Sequence, residues 1–252
     1  MSTENLGIAQ QAVNKAAEFI FATRIDSANH LAVEVNADPE RISRGAVDSI
    51  WLSADEVALS PNFRVEKLEI EIANIAIDPM RALLGNVELT QPSQGKTCIL
   101  LTDENFGYTL SSQKVRERLK AQDFGFSEAL GTLNLERVEC RIKSDRTIEV
   151  DAEVISNGTG RKQKFSFEYA LSFHPASFKV MTIALEESKS NIKDGELFLQ
   201  LREFMLDRIS ELLNLAHFRL DGVTVKVSHL EVREGTIELQ AKLEIQQIPS
   251  TS

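Results

Sequence analysis

The sequence predicts an α+β fold in which strongly curved antiparallel strands form a rolled β-sheet wrapped around a long amphipathic helix. Two observations give the class: most of the chain alternates apolar and polar residues with period two between short turns, and residues 196–216 carry an apolar stripe at helical spacing. A third observation predicts the curvature. Several strands move their apolar residues from one face to the other at a single point, as a β-bulge would require.

Residues 68–79, LEIEIANIAIDP, contain the clearest change of face. Apolar residues occupy even positions before Ala73 and odd positions after Asn74, so a β-bulge at this point would return both sets to one side of the sheet. Similar changes occur near Glu136 and at Ser228. We therefore predict three bulged strands that bend at one level, as a sheet rolled around a helix would need.

The predicted helices and repeats complete a single domain spanning residues 1–252. An amphipathic helix covers about residues 4–24, and two strand–helix–strand repeats cover residues 31–52 and 68–90. Both repeats contain D-P-x5-G, in which Asp caps a short helix, Pro begins it and Gly ends it. A further helical stretch is expected to begin at Thr102 or Asp103.

Composition and motifs exclude several classes of function. A formal net charge of −10 argues against a nucleic-acid groove. The N-terminus lacks the pattern of a signal peptide, and no stretch reaches the ~18 apolar residues of a membrane span, so a cytoplasmic location is expected. Cys98 and Cys140 are predicted to be free thiols. Because the histidines lack ligand spacing and catalytic motifs are missing, we expect neither a metal or cofactor nor an enzyme.

Local basic clusters stand out on this acidic chain. The middle helix contains Lys114, Arg116, Arg118 and Lys120, and a predicted hairpin contains Arg161, Lys162 and Lys164. Such clusters are either solvated surface or contacts for phosphate headgroups. The hairpin group, which precedes aromatic residues, is predicted to make headgroup or membrane contact.

A longer segment carries a resemblance to a known family. The run FRVEKLEIEIANIAIDPMRALLGNVELTQPSQGKTCILLTDENFGYTLSS, with RGAVDSIWL before it, resembles the LmeA-like phospholipid-binding family of bacteria, particularly its cyanobacterial-type members. The most specific part is I-A-I-D-P-x-x-A-L-x-G-x-x-x-L-T-x-P, and the resemblance covers residues 28–245. It implies a rolled sheet similar to tubular lipid-binding proteins, with an apolar cavity for acyl chains and no catalytic motif.

We expect the chain to bind a phospholipid or another amphiphile in an apolar groove, and transfer of that lipid is left open. The predicted lipid-binding residues are Phe165, Phe167, Tyr169, Phe173, Phe178, Phe198, Leu201, Met205 and Ile209. By default these side chains would form a solid core, and they would line a cavity if the roll is hollow. The alternative function is a protein–protein interaction module whose groove binds a partner helix or whose sheet edge binds a strand. No pattern in the sequence specifies an oligomeric state.

Overall fold

The structure is a computed structural model. It describes residues 27–42, 46–76, 89–122, 131–174, 177–182, 195–213 and 222–246. The predicted N-terminal helix and the helical part of the second repeat lie outside the described residues.

Ten strands and four helices lie in the described residues, and the first helix is a single turn. The strands are β1 His30–Asn36, β2 Ala46–Ser60, β3 Phe63–Ala76, β4 Ser93–Thr102, β5 Leu133–Lys143, β6 Thr147–Ser156, β7 Lys162–His174, β8 Ser177–Thr182, β9 Val223–Arg233 and β10 Thr236–Ile245. The helices are α1 Pro39–Ile42, α2 Asp103–Leu110, α3 Gln113–Ala121 and α4 Gly195–Leu213. The α+β class is thereby confirmed.

The strands form two open antiparallel sheets. The larger sheet has the order β1-β2-β3-β4-β10-β9, and the smaller has the order β5-β6-β7-β8. Their edge strands β9 and β5 lie close together at one end, where the Gly235 N–H donates to the Ile142 carbonyl at 2.9 Å. The Ile142 N–H donates to the Asp103 carboxylate at 2.7 Å. The strands expected in one rolled sheet therefore form two sheets, and the break between them lies between β9 and β5.

Two of the three predicted bulges are present, and the one predicted at Ala73 and Asn74 is wrong. In β5 the pairing register with β6 shifts across Glu136, and in β9 the register with β10 shifts across Ser228, so each is an extra residue of a bulge. Asn74 in β3 instead adopts a left-handed conformation, with φ of 54°, and the register with β2 continues unchanged beyond it. Leu68 and Ile75, on either side of Asn74, are both buried.

Helices α1 and α2 begin where the sequence predicts, α4 begins one residue before its predicted start, and the helical stretch predicted after Thr102 is divided into α2 and α3. The helices cover the sheets unequally. Thr102 caps α2 through a capping box with Asn105, and Asp38 accepts a hydrogen bond from the Glu40 N–H at the start of α1. Helix α2 packs on β3, β4 and β5, α3 packs on β5, and α4 packs on β7 and β8. The buried side chains of both sheets and of these three helices form one hydrophobic core.

Candidate functional site

The predicted aromatic residues of β7 lie in a closed interior between the smaller sheet and α4. Phe165, Phe167 and Tyr169 are exposed by 2%, 1% and 0%. The Phe167 ring centroid lies 5.3 Å from that of Phe198 on α4, and the Phe165 ring lies 6.1 Å from Phe167. Side chains this close and this buried pack as an ordinary protein interior.

The predicted residues of α4 complete the same interior. Leu201, Met205 and Ile209 are fully buried, whereas Phe198 is only partly buried. The Tyr169 hydroxyl donates to the Arg202 carbonyl at 2.9 Å, which ties the sheet to the helix, and burial raises the pKa of that hydroxyl. The structure therefore brings these predicted residues together as one packed cluster.

The remaining predicted aromatic pair lies at the end of this sheet. The backbones of Phe173 and Phe178 are directly opposite each other in the β7–β8 hairpin. This register places the pair next to the turn of the hairpin, beyond the closed cluster of β7 and α4.

A different apolar surface is partly exposed on the larger sheet, and sequence reasoning missed it. Residues directly opposite each other in antiparallel strands point to the same face, so the register places one residue from each of five adjacent strands in a line. We call this line the transverse row; it consists of Ile50, Ile72, Gly95, Leu243 and Val225. All five residues are partly exposed, although they lie on the face that carries the core.

Burial changes systematically along this face. Toward the turn of the β2–β3 hairpin, the next row on this face is buried at Thr97 and Ala241 and partly exposed at Ile70. The row after that contains Leu68, Ile99 and Leu239, which are exposed by 7%, 3% and 2%. Beyond the row in the other direction, Ser93 and Ile245 are again buried, with 1% and 7% exposure. The transverse row is therefore a partly exposed apolar strip between two buried zones.

Gly95 occupies the centre of the transverse row for a backbone reason. A Cβ atom at this position would lie 2.7 Å from the carbonyl oxygen of Glu71, too close for any other residue. The missing side chain leaves the row without apolar atoms between Ile72 and Leu243. Glycine in a strand commonly marks such a close approach of backbone or ligand.

Helices α3 and α4 border a polar cavity of about 610 Å³. The Arg118 guanidinium bridges from α3 to the Glu211 carboxylate of α4, with N···O distances of 3.0 and 2.7 Å, and Arg208 donates to the same carboxylate. Gln200 Oε1 and Arg208 Nε are buried without a hydrogen-bond partner among the described residues. Charged lining of this kind is unsuited to acyl chains.

The predicted basic hairpin carries its own counterions. Lys162 lies 3.5 Å from a carboxylate oxygen of Glu136 and 3.6 Å from one of Glu153, and Lys164 lies 3.7 Å from Glu153. In the other predicted cluster, Arg116 donates to the carbonyls of Leu135 and Glu136 at the β5 bulge. Both hairpin lysines are therefore paired with carboxylates, and Arg116 makes a structural contact with the backbone of β5.

The described residues offer little else that could support chemistry. They contain no group of three or more His, Cys, Asp or Glu residues placed to hold a metal ion. Cys98 and Cys140 are free thiols, as predicted, and burial raises the pKa of Cys98 to about 11 and that of Cys140 further. Both are therefore weak nucleophiles at neutral pH. No described helix is long and apolar enough to cross a bilayer.

The comparisons with known proteins bear on the whole chain. No curated protein and no solved structure gave a match. One family model, described as LmeA-like phospholipid-binding, matches residues 5–242 of the 252. Because this match covers nearly the full length, the chain belongs to the LmeA-like phospholipid-binding family.

Proposed function

We propose that the protein binds a phospholipid without covalent chemistry, by taking an acyl chain onto the transverse row of the larger sheet. The carrying observation is that this row is partly exposed and that its five residues, four aliphatic and one glycine, lie side by side on adjacent strands. Membership of a phospholipid-binding family supports the choice of ligand over a partner helix or strand.

The dimensions of the row suit one acyl chain. Four inter-strand spacings of ~4.8 Å give a length of about 19 Å from Ile50 to Val225. One leaflet of a bilayer core is roughly 15 Å thick, so an extended acyl chain of a membrane lipid is of similar length. Each methylene that leaves water contributes ~0.8 kcal/mol, so burial along this strip would favour binding of a lipid monomer from water. Transfer between membranes would follow if the bound lipid can leave at a second surface.

The interior between α4 and β7 is a second candidate, because the sequence predicts its residues as lipid contacts. Entry there would have to separate rings that are now in contact, such as Phe167 and Phe198. Phe198 is the partly buried member of that cluster and marks where a chain would begin to enter. The transverse row requires no such separation, and we therefore favour it.

A matched pair of substitutions tests the proposal. Leu243→Ser removes apolar contact from the row, and we expect it to weaken binding of a fluorescent fatty acid to delipidated protein about tenfold. Leu59→Ser serves as the control, because Leu59 is also a partly buried strand leucine but lies outside the row. Titration of the probe should be paired with mass spectrometry of lipids extracted from each purified variant.

The two variants should be compared at equal foldedness, established by urea unfolding. Equal probe affinity in Leu243→Ser and in the wild type would refute the transverse row as the binding surface. A loss confined to Leu59→Ser would refute it as well.

A further inference from the structure

A row of lysines lies behind the transverse row, on the outer face of the larger sheet. Successive residues of a strand point to opposite faces, so the neighbours of Val225, Leu243 and Gly95 in sequence point outward. These neighbours are Lys226, Lys242 and Lys96, which lie directly opposite one another on β9, β10 and β4. We call them the lysine row.

Two members of the lysine row lack the counterion that other strand lysines have. Lys67, Lys143, Lys162 and Lys164 each lie within 4.0 Å of a carboxylate, and Lys96 lies 2.8 Å from Glu71. Lys226 and Lys242 are exposed and have no carboxylate partner within the part of the chain that the structure describes. Glu244, two residues beyond Lys242 on the same outer face, forms no ion pair with either lysine in that part of the chain.

This arrangement costs stability unless an anion compensates it. Like charges directly opposite each other across two strands are destabilising, and Lys226 and Lys242 are such a pair. The cost is notable on a chain with ten more acidic than basic residues, where carboxylates are the commoner neighbours. An anionic surface placed against the two ammonium groups would remove it.

The position of Lys226 connects this charge to the proposed lipid site. Strand β9 is the edge strand of the larger sheet, so the transverse row ends at Val225 beside a sheet edge. Lys226 follows directly on the same edge strand. A phospholipid whose acyl chain lay along the row, with its phosphate at this end, would bring that phosphate to Lys226.

We propose that the lysine row, with Lys226 at its edge, docks the protein on an anionic phospholipid bilayer, and that the lipid enters the transverse row past the edge of β9. The inference rests on the proposed function for the direction of entry. We prefer this surface to the predicted contact at Arg161, Lys162 and Lys164, which stays a prediction, because its two lysines share the carboxylate of Glu153. An acidic protein is the competing occupant of this surface.

Charge-matched double substitutions test this docking surface. Lys226→Gln with Lys242→Gln should weaken sedimentation with vesicles of phosphatidylglycerol and phosphatidylcholine about thirtyfold at low salt, since each lysine near an anionic surface contributes ~1 kcal/mol. Lys162→Gln with Lys164→Gln removes the same charge from the hairpin and should weaken it less than threefold. Binding of the wild type should fall as salt rises.

A soluble fatty-acid probe separates this inference from the proposed function. The β9 and β10 double variant should keep the probe affinity of the wild type, because its substitutions lie on the face opposite the transverse row. Equal vesicle binding in this variant and the wild type would overturn the docking surface, as would a larger loss in the hairpin variant. The surface would instead belong to a protein partner under two conditions: the wild type does not bind vesicles, and an acidic protein co-purifies with the wild type but not with the β9 and β10 double variant. Probe binding that fails in the wild type would overturn the acyl site alone.

Discussion

The inner faces of the two sheets differ in how completely they are covered. On the smaller sheet, Ile148, Val150, Phe167 and Tyr169 are exposed by 1% or less, under the cover of α4. On the larger sheet, side chains near the β2–β3 hairpin are equally buried, whereas those of the transverse row are partly exposed. One region is a solid core and the other presents apolar surface, so the comparison separates what stabilises the fold from what is available to a ligand.

Side-chain size is one cause of this difference, and the cover over the sheet is another, since the equally aliphatic Leu68, Ile99 and Leu239 are buried. The smaller sheet presents consecutive inward aromatic rings from β7, which reach across to α4. The transverse row presents aliphatic side chains and a glycine, which reach less far from the sheet. Aromatic side chains bury large areas and close the space between layers. The aliphatic side chains and the glycine of the transverse row fill less of the space above the sheet and leave room there for a ligand.

The largest expected effect comes from the closed region. Phe167→Ala should lower the free energy of unfolding by about 3–5 kcal/mol, because it removes a fully buried ring and leaves a cavity. Ile72→Ala in the transverse row should cost less than ~1.5 kcal/mol, because a partly exposed side chain gives up fewer contacts. Urea unfolding of delipidated protein measures both.

This pair of variants also tests whether the smaller sheet is closed to lipid. We expect Phe167→Ala to retain the fatty-acid affinity of the wild type per folded molecule. A small stability cost together with lost lipid would mean that the interior of β7 and α4 is hollow. The predicted residues Phe165, Phe198 and Met205 would then be the lipid contacts.

A medium effect is expected at the edge of the smaller sheet that faces β9. Arg116 on α3 donates to the Leu135 and Glu136 carbonyls beside the β5 bulge, where the ladder is interrupted. Arg116→Met would leave these carbonyls without that donor and should cost about 1–3 kcal/mol. Thermal or urea unfolding provides the measurement.

Lys114→Met is the matched control, since Lys114 is an exposed residue of the same helix. Its effect should stay within about 0.5 kcal/mol. If both variants lost equal stability, the charge of α3 and not the contact with the bulge would be responsible. The bulge would then be held by backbone pairing alone.

Local sequence patterns predicted two of the three bulges and the starts of α1 and α2. The changes of face near Glu136 and Ser228 identified real bulges, because the period of two in a strand exposes any inserted residue. At Asn74 the same pattern came from a left-handed residue, which the hydrophobic phase alone does not distinguish from a bulge. The capping pattern of Thr102 and Asn105 likewise needs only local sequence.

The candidate site was less accessible to sequence reasoning, because it depends on distant pairings. Gly95 lies opposite Leu243 although nearly 150 residues separate them, and no local pattern specifies that register. The hairpin of Lys162 and Lys164 was judged on its sequence neighbours, whereas Glu153 compensates it from the adjacent strand. Lys226 and Lys242 lie far apart in the sequence and form no cluster there. The pairing of β9 with β10 places them directly opposite each other.

The smallest effect compares ion pairs on the outer faces of the sheets. On the smaller sheet, Glu149 accepts from Lys143 and from Arg141 Nε at 3.0 Å, and its side chain is 26% exposed. Hydrogen bonds from Lys143 and then Arg141 hold the pKa of Glu149 below its ordinary value of 4.5. On the larger sheet, the Glu71 and Lys96 side chains are 43% and 71% exposed. Better solvated pairs contribute less.

We therefore expect Glu149→Gln to lower the free energy of unfolding at pH 7 by a few tenths to about 1 kcal/mol, and Glu71→Gln to lower it by less. A carboxyl group with a depressed folded pKa stabilises the protein above its unfolded pKa, and this contribution disappears as the pH falls through the folded value. The difference between the wild type and Glu149→Gln should thus be constant above about pH 5 and vanish in stronger acid. Urea unfolding from pH 7 down to pH 3 measures it. A difference that persisted unchanged in acid would show that Glu149 acts through packing, and the charge on this face would then not distinguish the two sheets.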